Sequence, residues 1–473
     1  MKDSIPPHST LDKDSSRPSP RLFVGGCVVV AFIVLLLRLQ HPNKQKESDA
    51  VTNSLGGASA DKSSANEHDR RIARASSPAP GITAEQIVSN KINSFAGNRR
   101  AVANAIARKY KLKVPDELDR FFEAVEAGRW DEVEGLAKAL RENLHSADLM
   151  QLWPPVHETW GAVQEARNWP AQKLLDYGDA ILGALRPGMV YVGGTDPGRW
   201  IPTLLNESNE GEQHVMLTQN ALADGTYLDY VNFLYGDRLA ALSTDDSRGV
   251  FDEYIADARK RLQHDQDFPD EPKQIRSGED IQNIDGRVQV SGQVAVMAIN
   301  EKLLQALMQK NPDVAFGLQE SFPFKSTYPD AMPLGPIMEL RAPDRQNGFT
   351  AERAAQSLEY WRTATQQLLS DTTATGSETT LLTHSHDAVA AANLLAAHGY
   401  SIEAEQAYRL SNQLWPRNPE PVGALSELLI SNGRADEARH LLEDFARAYP
   451  GEQDALARIR ATWSIVAGQA PAP

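Results

Sequence analysis

The run Leu22–Leu37, LFVGGCVVVAFIVLLL, holds 16 residues without a charge and is closed by Arg21 and Arg38. As a helix it measures about 24 Å at roughly 1.5 Å per residue, a little short of a hydrocarbon core, and the arginine stems can extend outward to cover the difference. Residues 22–39 are therefore expected to form a transmembrane helix. The next stretch, Leu39 to Asn43 (LQHPN), lacks the small-x-small pattern of a signal-peptide cleavage site, which favours a retained anchor. Lys2, Lys13, Arg17 and Arg21 precede the run, against Arg38, Lys44 and Lys46 after it. The expectation is a cytoplasmic tail at 1–21 and a periplasmic bulk held at a bacterial inner membrane, with the bilayer as the first partner. Cys27, the single cysteine, lies inside the run, so an intramolecular disulfide and a cysteine-built metal site are both excluded.

Residues 40–82 are rich in Ser, Ala, Gly and Pro (SLGGASADKSSAN, RASSPAPG) and bury too little apolar surface to order themselves, which reads as a linker. Beyond it, Ile87, Ile92, Phe95, Val102 and Ile106 recur at helical spacing, and Asp116 to Leu144 reads as a helical hairpin turning at Gly128, so 83–169 is expected to be helical. The formal charge of −15, from 63 acidic and 48 basic residues, argues against nucleic acid as a partner.

The C-terminal part repeats. Gly399, Glu403, Ala404 and Pro416 recur as Gly433, Glu437, Ala438 and Pro450, each displaced by 34 residues, the tetratricopeptide period. Two tetratricopeptide-like repeats are expected at 385–418 and 419–451, inside a helical region spanning 346–466. Two repeats are fewer than usually stand alone, so they should lean on the helix through Ala351 to Leu369 or on the central domain. Repeats of this kind imply a protein partner.

Between 170 and 345 strand-like and helix-like segments alternate, predicting an α/β domain with some antiparallel character. Strands are expected at Met189–Val192, His214–Thr218, Val314–Leu318 and Pro336–Leu340, with a hairpin turning at Asp285-Gly286. Helices are expected at Ile201–Leu205, Thr226–Tyr235, Gly249–Gln263 and Val294–Gln309. Sites in open α/β sheets gather at the carboxyl ends of strands, where Gly193 to Arg199 and Gln219 to Asp224 stand as loops. Thr195, Asp196, Arg199, Asn220 and Asp224 are the ligand-binding candidates, an amide and a fixed cation beside two carboxylates suited to a sugar or sugar-phosphate.

Each candidate also has a structural reading. Asp196-Pro197-Gly198 can be a turn whose charge Arg199 answers, and Asp224 can be the cap of the helix that follows. Arg199 and Trp200 stand where a phosphate-binding loop needs Lys and Ser/Thr, so a nucleotide hydrolase is set aside. His384-Ser385-His386-Asp387 reads as solvated or capping histidines, Thr244 to Ser247 as a helix start, and Asp265 to Glu271 as a surface loop. No catalytic residue, metal or cofactor is expected, and the balance leans against an enzyme.

VYVGGTDPGRWIPT, HVMLTQNALADGTYLDYVNFLYGD and GRVQVSGQVAVMAIN together resemble the extramembrane module of bacterial protein-O-mannosyltransferase-like membrane proteins, C-type glycosyltransferases in which such modules accompany tetratricopeptide repeats. The resemblance covers about a third of the chain. It implies a lipid-linked sugar donor and a catalytic acid in a loop between membrane helices, and this sequence offers no such loop, so catalysis is not carried over. The expected function is an anchored interaction platform, in cell-envelope or glycan assembly. The alternative is a glycosyltransferase-related subunit or enzyme binding sugar or sugar-phosphate at 193–199 and 219–224.

Overall fold

The computed structural model describes residues 81–194, 196–207, 213–284, 286–340 and 348–457. The expected anchor at 22–39, its tail and nearly all of the linker lie outside them. Among the described residues no helix is long and apolar enough to cross a membrane.

Five helices come first: α1 (Ala84–Tyr110), α2 (Asp116–Glu126), α3 (Trp130–Glu142), α4 (Ala147–Asn168) and α5 (Ala171–Ala184). Thr83 and Gln86 close a capping box at the start of α1. Gly128, at φ +65°, makes the turn between α2 and α3, as its position predicts. Pro154 and Pro155 sit inside α4.

A mixed sheet follows, built from β1 (Val190–Gly193), α6 (Pro197–Glu207), β2 (Val215–Thr218), α7 (Gly225–Tyr235), α8 (Thr244–Asp267), the hairpin β3 (Asp280–Ile284) and β4 (Arg287–Ser291), α9 (Gln293–Lys310), β5 (Phe316–Leu318), β6 (Ala331–Leu334) and β7 (Ile337–Leu340). The main sheet has the order β2-β1-β5-β7-β6. Its first three strands are parallel, and β7 and β6 are antiparallel. All four residues of β1, β2 and β7 are buried, as expected of strands covered on both faces.

The expected elements of this region all form, with shifted ends. α8 starts five residues before Gly249, because Ser243 and Asp246 make a capping box. It also runs to Asp267, so half of the expected acidic surface loop is helix, and Asp265 accepts from the backbone N–H groups of Gln274 and Ile275 at 2.7 and 3.1 Å.

The C-terminal helices are α10 (Ala351–Ser370), the short α11 (Thr372–Thr375), α12 (Glu378–Ala397), α13 (Ser401–Leu414), α14 (Pro419–Ser431) and α15 (Ala435–Ala448). Helices α12 and α13, then α14 and α15, make two successive antiparallel hairpins. Gly399 and Gly433 turn them at φ +81° and +77°, where a β-carbon would be strained. Ala404 and Ala438, which carry the 34-residue spacing, are buried where the helices approach, in one core with Leu358, Leu395, Tyr408 and Leu425. Ala354 and Leu358 belong to α10, so the hairpins do lean on that helix. The first helix begins at Glu378, seven residues ahead of the expected Ser385.

Candidate functional site

The carboxyl ends of β1, β2 and β5 meet in one place. Gln219 N–H donates to Gly193 O at 2.6 Å and Gln319 N–H to Val192 O at 2.9 Å, so both glutamines extend the sheet past its strands. The Gln219 side chain then ties two loops together, donating to Phe322 O at 2.8 Å and accepting from Ser321 N–H at 3.0 Å. The Ser321 hydroxyl donates to Asp196 Oδ2.

The glycines of GGTDPGR serve this packing. A β-carbon on Gly194 would collide with the Ser321 side chain, and one on Gly198 with the Gln319 amide.

Helix α12 lies across this edge. The Asp387 carboxylate accepts from Tyr177 Oη at 2.9 Å and from Gln319 Nε2 at 2.8 Å, joining α5, the β5 loop and α12 at one buried side chain. His386 Nδ1 pairs with Glu420 at 2.5 Å, linking α12 to α14. His384 Nδ1 pairs with Thr380 O at 2.8 Å while its ring meets Tyr177 edge-on, and the Ser385 hydroxyl is buried against Ser411. The His384–Asp387 segment is thus neither solvated nor a helix cap; it is the seam between the hairpins and the sheet. The gap that remains, lined by Leu318, Glu320, Met338 and Asp387 among others, is a cavity of about 10 Å³, no larger than a water molecule needs.

The expected ligand residues therefore part company. Asp196 belongs to the seam: Oδ2 is bonded to Ser321, and Oδ1 is buried without a hydrogen bond among the described residues. Arg199 runs underneath instead. Its guanidinium is buried, donates to Thr218 Oγ1 at 3.0 Å, and pairs with Glu158 of α4 at 2.6 Å. Asp224 caps α7, accepting from Thr226 N–H at 2.8 Å, the structural reading of that residue. Asn220 is half-buried just past β2. Thr195 lies outside the described residues. The four described candidates do not line an open crevice, because α12 closes the edge and Glu158 draws Arg199 away.

Sequence inspection missed Glu158, Gln319, Ser321 and the role of Asp387. Among the described residues no group of three His, Cys, Asp or Glu side chains is placed to hold a metal ion. Compared with protein-family models, curated proteins and solved structures, the chain matches none.

The seam makes stability depend on pH. Burial pushes Asp387 up to about 7 and Glu320 up to about 7, and burial with Asp196 nearby pushes Glu165 up to about 8. Desolvation pulls His386 down, but the Glu420, Asp387 and Asp196 carboxylates outweigh it and raise the imidazole to about 9. Each of these four holds its proton more tightly folded than unfolded, so its contribution is complete below the unfolded pKa and is lost as pH rises through the folded one.

His157 and His384, pushed down to about 4 by burial, act oppositely, but their contribution is complete above the ordinary value of 6.5. Lys325, lowered to about 8 by burial, offsets the loss only above that pH. The melting temperature is therefore expected to fall between pH 6.5 and 8, with a shallower fall in His386→Gln. A flat or rising profile across that window in scanning calorimetry would refute the assignment.

Proposed function

We propose that the chain is a single-pass, membrane-anchored and exported interaction platform of a bacterial cell envelope. Residues 22–39 are its anchor, and the two C-terminal hairpins, read as tetratricopeptide-like repeats, are its docking surface for a protein partner. The observation that carries this reading is the pair of consecutive helical hairpins turning at Gly399 and Gly433, 34 residues apart. The polar side chains at the strand ends support it, since they are engaged in holding the first hairpin in place. The outer side is open to a partner: Ile402 at the start of α13 is 71% exposed, and in α15 only Ala438 and Phe445 are buried.

A photo-crosslinking residue at Ile402 or at the exposed Glu443 is expected to give a discrete protein adduct in the membrane fraction, weakened by Glu substitution at a neighbouring surface position. No adduct from either site, or recovery of the uncleaved chain in the soluble fraction without detergent, would remove this reading.

The second reading, a sugar or sugar-phosphate site at the strand ends, draws on Asp196 Oδ1 and Gln319 Oε1, two buried acceptors that meet no donor among the described residues. A ligand there requires α12 to move aside. Calorimetric titration with sugar phosphates distinguishes the two: heat that disappears in Asp196→Asn favours the ligand site, and no heat favours the platform.

A further inference from the structure

An open cleft lies elsewhere, between α3 and α4. It measures about 270 Å³ and is lined by Trp130, Val133, Glu134, Trp160, Val163, Gln164, Arg167 and Asn168. The pattern follows from helix periodicity. Trp160, Gln164, Arg167 and Asn168 stand at i, i+4, i+7 and i+8 on one face of α4, and Trp130 and Glu134 at i and i+4 in the first turns of α3.

Val133 and Val163 are buried at 2% and 3% exposure and make the apolar floor. Both tryptophans are only partly covered. The Trp130 indole rests over Gly128, 3.7 Å from where a β-carbon would stand.

The polar groups of this cleft are unengaged. Among the described residues, the side chains of Glu134, Gln164, Arg167 and Asn168 make no hydrogen bond or ion pair, and neither indole N–H is bonded. Elsewhere the chain commonly pairs such groups, as in Arg129 with Glu132 at 2.7 Å one turn away.

We propose that this cleft is a saccharide-binding site, in which a sugar ring lies against the indoles of Trp130 and Trp160 and its hydroxyls bond to Glu134, Gln164, Arg167 and Asn168. A sugar ring presents an apolar C–H face and a rim of hydroxyls that each donate and accept. Two indoles match the face. A carboxylate that only accepts, a guanidinium that only donates and two amides that do both match the rim. One negative and one positive charge on the same rim disfavour a strongly anionic or cationic ligand. Two indoles, one from each helix, fall short of the row of aromatic slots that an extended proline-rich peptide needs. The site is independent of the docking surface on the hairpins and of the closed strand edge.

The test uses the full-length chain in a polyoxyethylene detergent, which carries no sugar headgroup, with maltotriose, cellotriose and chitotriose as probes in saturation-transfer NMR. At least one trisaccharide is expected to receive saturation at its ring C–H protons. Trp130→Ala and Trp160→Ala should each weaken binding about tenfold or more. The exposed-site variants Gln164→Ala and Arg167→Ala should weaken it about threefold or more at an unchanged melting temperature. The proposal is overturned if none of the three sugars binds, if binding survives both tryptophan substitutions, or if a polyproline peptide binds the cleft and the sugars do not.

Discussion

Glu158→Gln is expected to cost about 3–5 kcal/mol of folding stability, a large part of what a domain ordinarily has. Glu158 is 5% exposed and stands between two arginines that are 2% and 1% exposed, accepting from Arg99 Nε at 2.6 Å and from Arg199 at 2.6 Å. Tyr230 adds a third donor at 2.8 Å. Burial works to raise the pKa of this carboxyl, and the two guanidiniums outweigh it and hold it below the ordinary value.

Taking away its charge leaves two buried cations facing each other, with Glu207 the one remaining counter-charge paired with Arg99 among the described residues. Glu207 is nearer to water, at 17% side-chain exposure, so Glu207→Gln should cost much less. The joint replacement Glu158→Leu with Arg199→Met, which removes a cation together with the carboxylate, should recover part of the loss, because a buried ion pair contributes little beyond an apolar pair of similar size. Urea unfolding followed by circular dichroism measures all three. A loss below about 1 kcal/mol for Glu158→Gln would show that the charges are not desolvated as described.

This triad also marks where sequence reading stops. Arg199 looks like a ligand-facing cation because the sequence from Gly193 to Gly198 reads as a loop at a strand end, and nothing local reveals that Glu158, 41 residues earlier on α4, lies beneath it. Asp387 is 68 residues from Gln319 and 210 from Tyr177, the two donors it joins. By contrast, Asp224 ahead of a helical pattern, Gly128 between two apolar faces and the 34-residue offset of Gly399 and Gly433 are local signals, and the elements they predict are present.

The misplaced start of α12 has a physical reason of its own. That helix is covered on more than one side, so Thr380, Thr383, Ser385, Asp387 and Asn393 are buried along with its leucines and alanines, and no single apolar stripe marks its first turns. The strand β6 carries Pro333 and stands at the sheet edge, which hides it from a reading based on strand propensity.

Gly194→Ala is the second substitution with a large expected effect, about 3 kcal/mol, the upper range for a forced overpacking. The added methyl would overlap the Ser321 hydroxyl and its β-carbon, and it would stand 2.8 Å from Asp196 Oδ2. Ser321 cannot simply rotate away, because its β-carbon is fixed to a backbone whose N–H is held by Gln219 at 3.0 Å. The β1 and β5 loops must therefore separate, and Gln319, two residues before Ser321, loses its alignment with Asp387. The damage should spread to the seam: hydrogen exchange is expected to quicken in the first half of α12 and to stay unchanged in α15.

Ser321→Gly supplies the control. Alone it should cost about 1 kcal/mol for the lost bond to Asp196. Combined with Gly194→Ala it removes both clashing atoms, so the double variant should be more stable than Gly194→Ala alone, a coupling of the kind that only touching residues show. Strict additivity of the two effects would mean that the loops do not meet here. The joint between sheet and hairpins would then have to rest on Asp387 and its bonds to Tyr177 and Gln319.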